Sequence, residues 1–170
     1  MITLRCTRKL LRLVDRVPTE DPPAPTSALG DWYANVVSTV AGDLIVFANE
    51  QTLLSIALPV EMADVLITGF VARYFNLLMT MGIPEDIALL EHDEAQQVTF
   101  AKTASRQVLG SLTEIAHYYR LKAKRSLGHG APSLSETELF LTRFVHRPLD
   151  GEYPADVSKR LLAEHYGHWE

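Results

Sequence analysis

The chain has 170 residues, 47% of them apolar and 22% charged, enough for one domain spanning 1–170 to bury about 68–70% of its unfolded surface without a metal or disulfide staple. Its single cysteine, Cys6, excludes an internal disulfide and suits a reducing, cytoplasmic setting. The formal charge of −5 argues against a uniform cationic coat for nucleic acid, yet residues 1–16 sum to +4 and residues 102–125 to +5, leaving −14 on the other 130.

Ile2, Leu4 and Cys6 alternate with Thr3, Arg5 and Thr7, which predicts a half-buried strand. Thr7 then suits the N-cap of a short helix burying Leu10, Leu11, Val14 and Val17. Arg5, Arg8, Lys9 and Arg12 interrupt the unbroken apolar core that a secretory signal requires. Four prolines between Pro18 and Pro25 make a stiff connection. A three-strand meander follows: Trp32 to Thr39, Leu44 to Ala48 and Thr52 to Leu58, with Leu44-Ile45-Val46-Phe47 as the expected central strand.

After Pro59, apolar residues repeating at three and four positions predict a long helix from Glu61 to Met81, ended by Gly82 and Pro84. Glu61, Asp64 and Arg73 break this apolar stretch, so no membrane span is expected. Glu85 to Glu94 reads as an acidic helix and Val98 to Ala101 as a further strand. Ser105 to Lys124 reads as a helix burying Val108, Leu112, Ile115 and Tyr119, followed by a loop over 126–132. Ser135 and Glu138 have the spacing of a capping box for a helix through Phe140, Leu141, Phe144 and Val145 that stops before Pro148. Pro154 opens a last helix that Gly167 ends. The expected fold is α+β: a mainly antiparallel sheet (the N-terminal strand, the meander and one further strand) with helices packed on one face.

Four segments carry a resemblance: Ile2-Thr3-Leu4-Arg5-Cys6-Thr7, Leu29-Gly30-Asp31-Trp32-Tyr33-Ala34-Asn35, the run Lys102 to Ser111, and Tyr153-Pro154-Ala155-Asp156-Val157. In order and over nearly the whole chain, they resemble the uncharacterised bacterial family called domain of unknown function 6933. That resemblance implies one complete domain and supplies no catalytic residues.

Chemistry is most readable where the strand at Val98 runs through Lys102-Thr103-Ala104-Ser105-Arg106 into a helix. The first N–H groups of a helix lack internal acceptors and favour an anion. Thr103 and Ser105 add hydroxyls, Lys102 and Arg106 charge, so a phosphorylated small molecule is the expected ligand class, with no cofactor. The bland reading is an N-cap. Along the same helix Arg106, His117, Arg120 and Lys124 fall within about 40° of one line, flanked by Lys122 and Arg125 with Tyr118 available to stack on a base: a basic stripe for nucleic acid, or a solvated face whose cations complement the helix dipole.

Gly30-Asp31-Trp32-Tyr33 offers an acid beside two aromatics for a cleft, or a turn followed by core. Glu91-His92-Asp93-Glu94, His165 and His168 lack a recognised metal-ligand spacing, and no metal is expected. Cys6 and Ser111 lack a nucleophile's setting. The leading expectation is an anion-binding module. An enzyme of the hydrolase type would use Asp31 or His92 near that anion, and a protein-partner module, including a homodimer through a strand edge or helix face, is the third class.

Overall fold

A computed structural model describes residues 1–126 and 133–169. Period-two alternation there builds five strands: β1 (Ile2–Cys6), β2 (Trp32–Thr39), β3 (Gly42–Asn49), β4 (Ser55–Pro59) and β5 (Val98–Lys102). Six α-helices accompany them among the described residues: α1 (Arg8–Leu13), α2 (Leu66–Thr80), α3 (Glu85–Ala95), α4 (Arg106–Arg125), α5 (Leu134–Leu141) and α6 (Pro154–Tyr166).

The sheet order is β4-β3-β2-β1-β5. β1 lies parallel to both β2 and β5, while β2, β3 and β4 form the antiparallel meander. The sheet is therefore mixed. β2, not the Leu44–Phe47 segment of β3, is central, because β1 lies along the side of β2 that the meander leaves free.

Helices cover both faces, which corrects the one-face expectation. Ile2, Leu4, Trp32, Phe47 and Ile56 share a core with Leu10 of α1, Phe70 and Tyr74 of α2 and Ile87 of α3. Tyr33, Val37, Val46 and Ala57, on the opposite parity, pack with Val108, Leu112 and Ile115 of α4 and Leu141 of α5. Trp32 and Tyr33 are adjacent and both fully buried, each on its own side. On the first side Trp32 meets Phe70 and Tyr74 edge-on, with ring centroids 5.1 and 5.2 Å away.

Thr7 caps α1 by accepting the Leu10 N–H, and Pro154 opens α6 with Gly167 closing it. The helix expected from Glu61 divides at Val65 (φ −118°, ψ 32°) into a 3-10 helix, Val60–Val65, and α2. By length and composition, Val60–Thr80 could span a bilayer. In this fold Leu66, Phe70, Tyr74 and Leu78 instead form the core beneath the sheet. The loop expected over 126–132 lies, from 127 onward, outside the described residues.

α5 begins one residue after Ser133, whose oxygen accepts the Glu136 N–H, so the Ser135–Glu138 capping box is replaced, and it ends at Leu141, short of the expected Phe144 and Val145. Glu138 is instead buried against the outer edge of the sheet. Its Oε1 accepts the Ala57 N–H of edge strand β4 at 2.9 Å and Arg73 Nε at 2.9 Å, and Oε2 accepts Arg73 Nη2 at 2.6 Å. One carboxylate thus satisfies an edge donor and joins α2 to α5 around the sheet's rim. Glu138→Ala leaves the Ala57 N–H unpaired and Arg73 with Ser135 Oγ alone, and is expected to lower unfolding free energy by about 2–4 kcal/mol, read from urea denaturation. A loss under about 0.5 kcal/mol would show the clasp to be energetically idle.

Candidate functional site

β5 delivers the chain to the predicted strand-to-helix turn. Ser105 caps α4: its Oγ accepts the Val108 N–H at 3.2 Å, and its own N–H donates to the Tyr33 hydroxyl at 3.0 Å. Tyr33, buried on β2, therefore fixes where α4 begins. Arg106 and Gln107 are exposed at the first turn, whose N–H groups have no acceptor within the helix.

Beside this turn is a cleft of about 280 Å³ lined by Arg5, Pro18, Thr19, Glu20 and the run Ala101 to Ala104. Its far wall is built when Thr19 N–H donates to the Phe100 carbonyl at 2.7 Å, laying the proline-rich connection along the outer edge of β5. Lys102 and Thr103 line the cleft; Ser105 and Arg106 do not. Arg5, which sequence reasoning assigned only to a strand, lines it with them.

Arg5 is positioned by Asp31. Asp31 Oδ1 accepts the Thr3 N–H at 2.9 Å, and Oδ2 lies 3.2 Å from Arg5 Nη2. Arg5 Nε is buried with no hydrogen-bond partner. Burial raises the carboxyl pKa of nearby Glu50, with Arg5 opposing and Asp31 reinforcing that shift. Asp31 is thus a structural acceptor, and Asp31, Trp32 and Tyr33 are not gathered on one wall: strand alternation sends Trp32 and Tyr33 to opposite cores.

Residues 3–157 match the model of a family described as domain of unknown function (DUF6933). The chain belongs to that family. No curated protein and no solved structure matches it.

The remaining candidates in this DUF6933 chain are dispersed. His92 is on α3, with Nδ1 3.0 Å from Asp93 Oδ1, and lines a separate cleft with Thr68, Val71 and Gln96. Neither Asp31 nor His92 lines the cleft at Lys102. Glu91 is fully buried and accepts four bonds of 2.7 Å, from Ser27 Oγ, the Ala28 N–H, Tyr74 Oη and Tyr166 Oη. It fastens α3, α2, α6 and the 27–28 connection together. The ring of His165 packs edge-on against Tyr166 at 4.5 Å, and His168 is exposed. Burial pushes the Cys6 thiol up to about 12, which keeps it protonated and unreactive.

Of the basic stripe, Arg120 is turned inward enough for its Nε to donate to the Ser38 carbonyl at 3.1 Å, tying α4 to the end of β2. His117 packs edge-on against Tyr118, and Lys124 is exposed.

His146, which no sequence signal marked, is fully buried after α5. Neither ring nitrogen has a hydrogen-bond partner; Nδ1 faces Glu114 Oε2 of α4 at 3.5 Å, and Phe144 packs at 5.3 Å. Burial lowers its pKa below the ordinary imidazole value, with Glu114 opposing. The unfolded chain therefore takes up the proton first, and the stability present above that ordinary value is lost as pH falls through the lowered one. The urea midpoint is expected to drop between about pH 7 and pH 5, and His146→Phe to flatten that slope. An unchanged slope in the variant would assign the titration to another group.

Proposed function

We propose that this domain is a binding module for an anionic, phosphate-bearing ligand, held in the cleft beside the β5–α4 turn. The observation that carries the reading is Arg5. Arg5 lines the cleft with its side chain partly exposed, and Asp31 Oδ2 lies 3.2 Å from its Nη2. An arginine held in this way keeps donors available in a fixed fork, the geometry that suits phosphate oxygens.

Lys102 adds a second cation and Thr103 a hydroxyl to the same wall. The N-terminus of α4 and the exposed Arg106 extend the positive field beyond the cleft. Glu20, on the opposite wall, opposes a fully ionised phosphate and favours a ligand of lower charge. Two charge-assisted bonds of about 1.5–3 kcal/mol each correspond to roughly millimolar to high-micromolar affinity, adequate for a phosphate that is one part of a larger molecule. The hydrolase alternative relies on Asp31 or His92, and neither lines this cleft.

Thermal-shift titration with inorganic phosphate and a panel of phosphorylated metabolites tests the reading. A saturable stabilisation is expected, abolished by Lys102→Ala combined with Thr103→Ala and reduced less by Arg106→Ala, which lies outside the cleft wall. A parent protein whose melting temperature ignores every phosphate compound would remove this function.

A further inference from the structure

A second surface, on the far half of α4, has a different chemistry. Tyr118 of α4 lies 4.5 Å from Phe144 and 6.2 Å from Phe140, ring centroid to centroid, and Phe140 and Phe144 are 6.0 Å apart. These three rings, their planes tilted by 42–56° to one another, form one aromatic platform where α4 meets α5 and the turn after it. Phe140 is 46% exposed, and Val145, next to Phe144, is exposed as well. Apolar residues exposed together over neighbouring elements mark an interaction surface far more often than scattered ones.

The platform's border is cationic in a chain whose net charge is −5. Lys122 Nζ stands 5.0 Å from the centroid of Phe140. Arg125 lies two turns beyond Tyr118 on the same side of α4, and Arg143 sits in the turn whose N–H donates to the Phe140 carbonyl at 3.2 Å. None of the three forms an ion pair among the described residues. Two carboxylates are nearby in sequence: Glu114, which faces His146, and Glu136, one turn before Phe140.

We infer that this platform binds single-stranded nucleic acid, with bases stacked on Phe140 and Tyr118 and phosphates met by Lys122, Arg125 and Arg143. Flat rings bordered by cations match a polymer that alternates planar bases with phosphates, and such binding tolerates any base because every base has a π-face. An acidic peptide would use the cations and leave the rings unmatched. A second copy of this surface would set the same cations against each other. The surface lies about 100° round α4 from the stripe of His117 and Lys124; Tyr118, Lys122 and Arg125 flank that stripe in the sequence, and Phe140, Phe144 and Arg143 are brought to them by α5 and the turn after it.

Fluorescence anisotropy of the full chain with labelled oligothymidylate and oligouridylate tests this. Saturable binding is expected at about 50 mM salt and strong weakening at about 200 mM. Phe140→Ala, at an exposed position, is expected to weaken binding by about tenfold while leaving the melting temperature near that of the parent. Arg125→Gln with Arg143→Gln should make the salt dependence shallower, and Lys102→Ala, in the separate cleft, should leave oligonucleotide binding intact. Absence of saturable binding at low salt would overturn the inference. So would binding that Phe140→Ala and the arginine pair leave unchanged, or tighter binding of oligoglutamate than of oligothymidylate.

Discussion

The carboxylate of Asp31 is the junction on which both sheet and cleft depend. β1 reaches the middle of the sheet only by pairing with β2, and that pairing starts at Leu4 opposite Trp32. Below it, Asp31 Oδ1 holds the Thr3 N–H, and the Asp31 carbonyl accepts from the Glu50 N–H at 3.0 Å and from Asn49 Nδ2 at 3.2 Å. β5 in turn pairs with β1 over all five residues, so the far edge of the sheet rests on the same contact. The second carboxylate oxygen holds Arg5 at the cleft. Removing Asp31 would release the strand register and leave the half-buried Arg5 guanidinium without its counter-charge, two effects that no rearrangement of a surface loop can replace.

Asp31, Glu91 and Glu138 are all buried, and each joins segments that are far apart in sequence. Such groups are tolerated inside only when their oxygens are fully engaged. Glu91 meets this condition with hydroxyls and one amide rather than a cation, and the surrounding burial together with Glu91 holds the Tyr74 hydroxyl well above its usual range. Much of the buried acidity of this chain is therefore committed to fastening. A catalytic carboxylate pair requires oxygens free to exchange protons with a substrate, and these oxygens are not.

Local patterns were legible wherever their physics is local. Thr7 capping α1, the span of β2, Pro154 opening α6 and the burial of Val108, Leu112, Ile115 and Tyr119 all depend on alternation, helical period or a cap within four residues. Glu138 shows where that reading ends. Its spacing from Ser135 satisfies a capping box, but its partners, Ala57 and Arg73, are 81 and 65 residues away. Likewise, Trp-Tyr at the start of β2 advertises apolarity on both sides of a strand, yet which helix covers which side depends on chain topology that no periodicity contains. Arg5 was visible as a strand residue facing away from the Ile2–Leu4–Cys6 core; its proximity to Lys102 follows only from the parallel pairing of β1 with β5.

α4 links the two proposed surfaces, and the helix dipole separates what each requires. At its start the macrodipole is positive and adds to Lys102 and Arg106, so an anion there needs little further preparation. At its end the dipole is negative, and Lys122, Lys124 and Arg125 offset it whether or not a ligand binds. Charge at that end is therefore insufficient by itself to indicate a polyanion. The rings change the balance, since the dipole gives no reason for Phe140 to stand nearly half exposed beside Tyr118 and Phe144. Covering an aromatic side chain stabilises a fold by about 1.5–3 kcal/mol, and an adjacent turn of α5 could have carried a polar residue there. An aromatic surface kept open next to cations already required by the helix is an arrangement in which one set of residues serves both stability and recognition.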